Sequence, residues 1–382
     1  MTVYLDYASH TPACKAVLDT FIQAEQEFIA NPMSAHRAGD MAKQELLRIT
    51  QSIGDMLQAK PSEIIFTSGA SEANNLAIKG IARAYGYSGR HILSTCLEHP
   101  SVSGTLAVLQ EAGFEIELLR ILPDGTIDLA HLESAIRSDT ILVCVSVVDS
   151  ELGAIQPVNE ISGILAKYPG CHLHIDAAQA MGKVPVDIAG ASTMCFSPHK
   201  FYGICGSGVL VKREGVILEP LIHGGVSMSL YRSGTPALSL AAACDKALEL
   251  ALVHQSERME KVAALREYLL QGLGIADKKS QPSKLYPLVR INSPAEGSPY
   301  ILNLSVKGIK AAKFVAKLDK HGICVSVKSA CSVDSSPSRP VMAVSGDKQN
   351  ALCSWRISFS HMTDIRELDM FLTAFDECYG SC

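Results

Sequence analysis

The chain has 382 residues, enough for two domains and a sizeable core. With 47% hydrophobic and 19% charged residues it has an ordinary globular balance, which excludes a disordered chain. A formal net charge of −5 without a long basic run argues against nucleic acid or an anionic membrane as the main partner.

The first residues, MTVYLDYASH, lack a basic start followed by an apolar stretch, so no secretory signal is expected. The longest apolar runs, such as 141–148, suit a buried strand and are too short to span a bilayer. Hydrophobic runs at 63–66, 91–94, 114–121, 141–148, 172–177 and 193–196 read as strands, and 208–211 as one more. Helical patterns at 72–85, 101–112, 129–136 and 158–167 alternate with them. That alternation predicts an α/β fold with a mostly parallel sheet covered by helices on both faces. A long helical stretch is expected over 237–273, followed by a polar, Pro-containing segment at 276–299. Strand-like runs at 301–306, 323–327 and 356–360, with a helix at 311–321, predict a smaller α/β domain. The twelve cysteines are scattered, with no Cys-x-x-Cys pair, so a disulfide framework is not expected. Most, including Cys144 and Cys195 in apolar runs, read as buried reduced thiols in a cytoplasmic, reducing compartment.

Four segments carry chemistry. Thr67-Ser68-Gly69-Ala70-Ser71-Glu72 follows a strand and opens a helix, where free backbone N–H groups and the Ser71 hydroxyl suit a phosphate. Ser71 as an ordinary helix cap is the plainer alternative. In the strand from His172, positions 172, 174 and 176 share a face. Two histidines and a carboxylate there suit a metal, Asp176 at a strand end suits a protonated heterocycle nitrogen, and an ordinary buried strand end fits equally. Lys200, in Ser197-Pro198-His199-Lys200, exits an apolar strand; a partly desolvated lysine there is an amine nucleophile. Ser197 and His199 are candidate phosphate donors beside it, and a solvated surface lysine is the alternative. Cys331, in Ser329-Ala330-Cys331-Ser332, precedes a polar stretch and has the least core-like surroundings of the twelve cysteines.

Taken together, these segments resemble the cysteine desulfurases, class V, fold-type I enzymes that use pyridoxal phosphate. The resemblance runs from Tyr4-Leu5-Asp6 to Arg356-Ile357-Ser358. It takes in NPMSAH at 31–36, TSGASEANN at 67–75, LEHPSV at 97–102, ELGAIQPV at 151–158 and HIDAAQ at 174–179. SPHKFYG at 197–203, RSGT at 232–235 and SACS at 329–332 complete it in order. It implies a seven-stranded large domain at 14–253 and a small domain of 1–13 with 254–382. Lys200 would hold the cofactor covalently, and Asp176 would pair with the pyridine nitrogen. Gln179 and the position of Ser150 would face the phenolic oxygen, and His99 would stack on the ring and assist proton transfer. Ala70, Ser71, Ser197 and His199 would hold the phosphate, joined by Thr235 from a second subunit of a homodimer. Arg356 would take the carboxylate of L-cysteine. Cys331 would receive sulfur as a persulfide for an acceptor protein, in iron-sulfur cluster assembly or tRNA and cofactor thiolation. Under this reading Asp176 is needed by the ring, and no metal is expected. Other chemistries of the same fold are aminotransferase, β-lyase and selenocysteine lyase, and a non-catalytic scaffold is the remaining alternative.

The chain departs from the family pattern at several points. Asp149-Ser150-Glu151 stands where Asn-Asn-Glu is usual, and Ser150 is too short to replace the second amide directly. Val226-Ser227-Met228 replaces Gly-Gln-Glu. Lys328 stands in place of a glycine before Ser-Ala-Cys and reads as a solvated lysine, with a neighbouring thiol to acidify as the alternative.

Overall fold

A computed structural model describes residues 2–225, 229–275, 283–328 and 336–381. In chain order the first part runs β1 (Val3–Tyr4), α1 (Lys15–Glu27), α2 (Arg37–Met56), β2 (Ile64–Thr67), α3 (Ala70–Tyr85), β3 (His91–Ser94) and α4 (Pro100–Glu111). It continues with β4 (Glu115–Leu118), α5 (Leu129–Ala135), β5 (Thr140–Ser146), α6 (Val158–Leu165), β6 (His172–Asp176), β7 (Thr193–Phe196) and β8 (Gly208–Lys212). The second part holds α7 (Leu238–Val253), α8 (Gln255–Gly272), β9 (Val289–Ile291), β10 (Ile301–Val306), α9 (Ala311–Lys320) and β11 (Ile323–Cys324). It ends with α10 (Arg339–Ser345), α11 (Lys348–Cys353), β12 (Ser354–Ser358) and α12 (Ile365–Gly380).

Strands β2 to β8 form one seven-stranded sheet in the order β2-β8-β7-β6-β5-β3-β4. Only β8 runs against its neighbours. Alternation along the strands sorts side chains onto two faces. Ile92, Leu142, Cys144 and Cys195 pack under α3 and α4, while Leu93, Val143, Val145 and Phe196 face the larger core on the other side. The chain leaves β3 for β4 on one side and returns to β5 on the other. Open parallel sheets bind ligands at such a reversal, beyond the carboxyl ends of the strands.

Strands β9, β10 and β12 make a second, antiparallel sheet in the order β12-β10-β9. Residues 2–13 add no strand to the large sheet: β1 pairs in parallel with β11, and Asp6 bridges to Ser358. The expected strands and helices are present, with shifted ends. One expectation is corrected. The stretch at 237–273 is two helices, not one, broken at His254 without a Pro or Gly to mark it; the apolar, largely buried α7 gives way to the more polar α8, and good helix formers stand on both sides. Lys15–Glu27 and Arg37–Met56, unread above, are helices, and α2 carries a regular buried stripe of Ala42, Leu46, Ile49 and Ile53.

Trp355, the chain's single tryptophan, is fully buried in β12 and stacks on Phe314 at 5.5 Å, with Phe371 and Phe375 beyond it. Trp355→Ala should cost about 3–5 kcal/mol. A denaturant titration followed by circular dichroism checks this, and a loss under about 1 kcal/mol would show that this core tolerates the cavity.

Candidate active site

The carboxyl ends of β5, β6 and β7 open into a cavity of about 350 Å³. Its wall includes Ala70, Ser71, His99, Ser150, Asp176, Gln179, Ser197, His199, Lys200 and Arg356. Residues far apart in sequence are thus brought to one place.

At one end the β2–α3 turn supplies the N-terminus of a 16-residue helix. Gly208 lets β8 run close beneath this turn, because a Cβ there would lie 2.6 Å from the Gly69 backbone. Glu72 folds back to accept from the Ser68 N–H at 2.7 Å, and its other oxygen accepts from Arg232 Nε at 3.0 Å. Ser197 Oγ donates to the Ser207 carbonyl at 2.8 Å and lies 2.8 Å from His199 Nδ1. Ser197 has one proton and gives it to Ser207, so His199 Nδ1 carries its own. Burial pushes His199 down to about 4, helped by Lys200 and His10. The helix N–H groups and the Ser71 hydroxyl are the donor chemistry a phosphate needs, while the protons of Ser197 and of His199 Nδ1 are taken within this cluster.

The middle of the cavity is organised by one amide. Asn74, fully buried on α3, donates from Nδ2 to Asp176 Oδ2 at 2.8 Å and to Ser101 Oγ at 2.9 Å. Its Oδ1 accepts from His174 Nε2 at 2.8 Å and Cys195 Sγ at 2.9 Å. Asp176 Oδ1 also accepts from the Ala178 N–H at 2.9 Å. Two N–H donors fix the position of this carboxylate, which can face a protonated heterocycle nitrogen. His174 and Asp176 do share a face. Both ring nitrogens of His174 are spent, on Asn74 and on Thr193 Oγ1 at 2.9 Å, and burial pushes the ring down to about 4. Those bonds disfavour the metal reading.

The far wall comes from residues 6–11. Lys200 Nζ donates to the carbonyls of Ala8 at 2.9 Å and Ser9 at 2.7 Å, so Lys200 is an inward-held amine rather than a solvated surface lysine. Gln179 Nε2 donates to the Ala8 carbonyl at 2.8 Å, and its Oε1 accepts from Lys183 Nζ at 3.0 Å. Burial pushes Lys183 down to about 7, with Lys200 and Arg356 adding to it. Arg356 is 1% exposed. It donates to Asp6 Oδ1 at 2.8 Å, Ser9 Oγ at 2.7 Å and the Ser150 carbonyl at 2.7 Å. Its Nε has no partner among the described residues.

The sequence profile described as aminotransferase class-V matches residues 3–371. The chain belongs to that family. A NifS/IcsS protein homolog from Lactobacillus delbrueckii subsp. bulgaricus is 36% identical, over 99% of this chain and 97% of its own length. A cysteine desulfurase IscS from Dictyoglomus turgidum is 34% identical, over 98% and 93%. Among solved structures, a NifS-like protein superposes with a TM-score of 0.91 at 30% identity, covering all of both chains. A structure of SspA in complex with cysteine gives 0.80 at 30% identity, covering 94% of this chain and 99% of its own. The chain is thus a class-V aminotransferase family member of the cysteine desulfurase branch.

This family member does not place every candidate in the cavity. Thr235 is exposed and does not line it. Cys331 and Val226 lie outside the described residues. Lys328 is not a solvated lysine: it is buried, and its ammonium donates to the Ser336 carbonyl and to Ser336 Oγ at 3.1 Å. Sequence reading missed Asn74, Ser101 and Lys183, whose roles depend on partners distant in sequence. It also missed Cys205, an exposed thiol on the cavity wall. Of the ten described cysteines five are buried, among them Cys144 and Cys195.

Behind the cavity sit buried acids. Glu98 accepts from Thr95 Oγ1 at 2.7 Å and Ser146 Oγ at 2.5 Å, and burial pushes it up to about 7. Burial and the neighbouring Glu151 push Asp149 up to about 7 as well. Below pH 4.5, the ordinary value for glutamate, both folded and unfolded chains hold the Glu98 proton. Between 4.5 and about 7 the unfolded chain releases it while the folded chain keeps it, so folded-state stability falls as pH rises. Glu98→Gln should remove this slope, with the variant gaining on wild type from pH 4.5 to 7 in denaturant midpoints. Parallel pH profiles for the two proteins would show that Glu98 ionises normally.

Proposed function

We propose that the chain is a pyridoxal-phosphate-dependent cysteine desulfurase that converts L-cysteine and an enzyme thiol into L-alanine and an enzyme persulfide. The observation that carries this is the meeting, in one cavity, of the inward Lys200 amine, the twice-donated Asp176 carboxylate and the buried Arg356 guanidinium. The residues fit the cofactor: the α3 N-terminus with Ser71 for its phosphate and Ser197 and His199 beside it, Asp176 for its ring nitrogen, Gln179 and Ser150 on the side of its phenolic oxygen, and Lys200 for covalent attachment. Bound there, pyridoxal phosphate supplies an electron sink for the substrate amino acid. Arg356 would fix the substrate carboxylate, since a guanidinium offers paired donors to a carboxylate. Asp6 and Ser9 hold that guanidinium in place before substrate arrives.

The sulfur step falls to Cys331. Its thiolate attacks the substrate sulfur, an S–S bond forms as the substrate C–S bond breaks, and the substrate carbon takes a proton to become the alanine methyl. The persulfide then passes to an acceptor protein in the cytoplasm. A second copy of the chain would bring its Thr235 to the phosphate. Exposed Leu18, Ile22, Met41 and Leu47 on α1 and α2 offer apolar surface for such a homodimer. In domain terms we assign 14–253 to the cofactor and 1–13 with 254–382 to the lobe that carries Arg356 and Cys331. Among the described residues no helix is long and apolar enough to cross a membrane.

Two measurements test this. After borohydride treatment and unfolding, wild type should keep cofactor on the chain, and Lys200→Ala should keep none; retention by the variant would refute the attachment site. Cys331→Ala should still bind cofactor and respond spectrally to L-cysteine, yet lose at least about 100-fold in alanine and sulfide production, in line with the loss of a covalent nucleophile. Sulfide release at the wild-type rate would instead make the protein a β-lyase. A further expectation concerns Asp6. Asp6→Ala removes the carboxylate that holds Arg356, so KM for L-cysteine should rise about tenfold or more. An unchanged KM would show that Arg356 needs no such partner.

A further inference from the structure

His99 reaches the cavity from the start of α4, and its own backbone position restrains its chemistry. It is the N-cap of α4, and its Nδ1 accepts from the Ser101 backbone N–H at 3.1 Å. A ring nitrogen that accepts from a fixed N–H carries no proton itself. The Ser101 hydroxyl, 2.8 Å from the same Nδ1, meets the same lone pair. Its direction is set in turn by Asn74, which donates to Ser101 Oγ and leaves the hydroxyl proton for His99.

The orientation of Asn74 is not free. On its oxygen side it faces His174 Nε2 and Cys195 Sγ. On its nitrogen side it faces the Asp176 carboxylate and Ser101. Exchanging the two ends would set the amide oxygen against a carboxylate oxygen at 2.8 Å, so the amide has one acceptable setting. The charged groups facing the His99 ring are Asp176 from β6 and Lys200 beyond β7. Burial is the largest influence on the ring and favours its neutral form.

We infer that Asn74 is a positioning residue that acts through Ser101 to present His99 to the cavity as a neutral imidazole with its proton on Nε2. In that state His99 offers the cavity a hydrogen-bond donor and no lone pair. It therefore orients and stacks, and it takes up a proton from substrate or cofactor only if the α4 cap opens. The role given to His99 rests on the desulfurase reading; its protonation pattern does not.

Histidine-selective ¹⁵N labelling of the full chain, loaded with pyridoxal phosphate and free of it, reads the tautomer directly, with His99→Gln assigning the signals. At pH 8 wild type should show His99 Nδ1 unprotonated and Nε2 protonated. A protonated Nδ1 in wild type overturns the inference without any variant. In Asn74→Asp the new carboxyl would share one proton with Asp176, and its oxygen would accept the Ser101 hydroxyl proton and turn the hydroxyl lone pair toward His99. The Nδ1 signal should then shift toward its protonated position. Adding Ser101→Ala to Asn74→Asp should abolish that shift, because the path is cut. An unshifted Nδ1 in a folded Asn74→Asp protein, or a shift that survives Ser101→Ala, removes Asn74 from the role. These outcomes stand whether or not the protein turns over cysteine, so a failed desulfurase assay and a failed tautomer assignment remain distinct.

Discussion

A guanidinium taken almost wholly out of water must be neutralised and hydrogen-bonded, and at Arg356 this falls to residues 6–11. Asp6 supplies the opposite charge and Ser9 a hydroxyl, and both lie on a segment pinned by β1 against β11 and by Asp6 against Ser358. The same segment then reaches the large sheet. Ala8 and Ser9 give their carbonyls to Lys200, and Ala8 also receives Gln179. Thr11 bonds the His199 carbonyl at 2.8 Å and receives the Tyr202 N–H at 2.7 Å. Six residues therefore tie the carboxylate-binding side of the site to the cofactor-binding side. Breaking the Arg356–Asp6 pair by removing one partner leaves an uncompensated charge in a buried place, which is the expensive way to alter such a pair.

A second constraint is the amide of Asn74. Four partners converge on one buried side chain, from α4, from β6 and from β7. A fully satisfied buried network of this kind is rigid, because each member loses a partner if any one moves. It lets α3, which presents its N-terminus at the phosphate end, also set the position of Asp176 at the ring end. The helix thus contributes to the site twice, once through its backbone and once through a side chain one turn further on.

The departures from the family pattern divide by environment. Asp149 stands where an asparagine is usual, and it is buried with one oxygen unpartnered among the described residues. Its rise to about 7 is the expected response of a carboxyl that desolvation drives toward the neutral, amide-like form. Ser150 keeps a place on the cavity wall, and its carbonyl serves Arg356. Lys328, in place of a glycine, has folded its ammonium onto Ser336. Asp149 is held by the Glu151 and Leu152 N–H groups and Lys328 by Ser336, and Lys200, Asp176, His99 and Arg356 line one cavity beside them.

Continuous apolar runs such as 141–148 and 193–196 carried the large sheet in the sequence, because a strand buried on both faces must be apolar along its length. The motifs around Ser71, Asp176 and Lys200 were legible for a related reason. Each sits at a strand exit or helix start, where local geometry dictates residue type. The break at His254 was not legible, since no Gly or Pro marks it and good helix formers stand on both sides. Nor was the role of Asn74, Ser101 or Lys183, because an amide, a hydroxyl or a buried amine gains its meaning from partners tens of residues away. Asn74 meets Asp176 across 102 positions and Cys195 across 121. The sequence alone determined which elements form and which residues carry reactive groups. The tertiary structure decided that Asp6 faces Arg356 across 350 positions, that Lys328 is buried, and which proton each histidine holds. Hydrogen-bond direction and desolvation are properties of the packed assembly, and no local pattern encodes them.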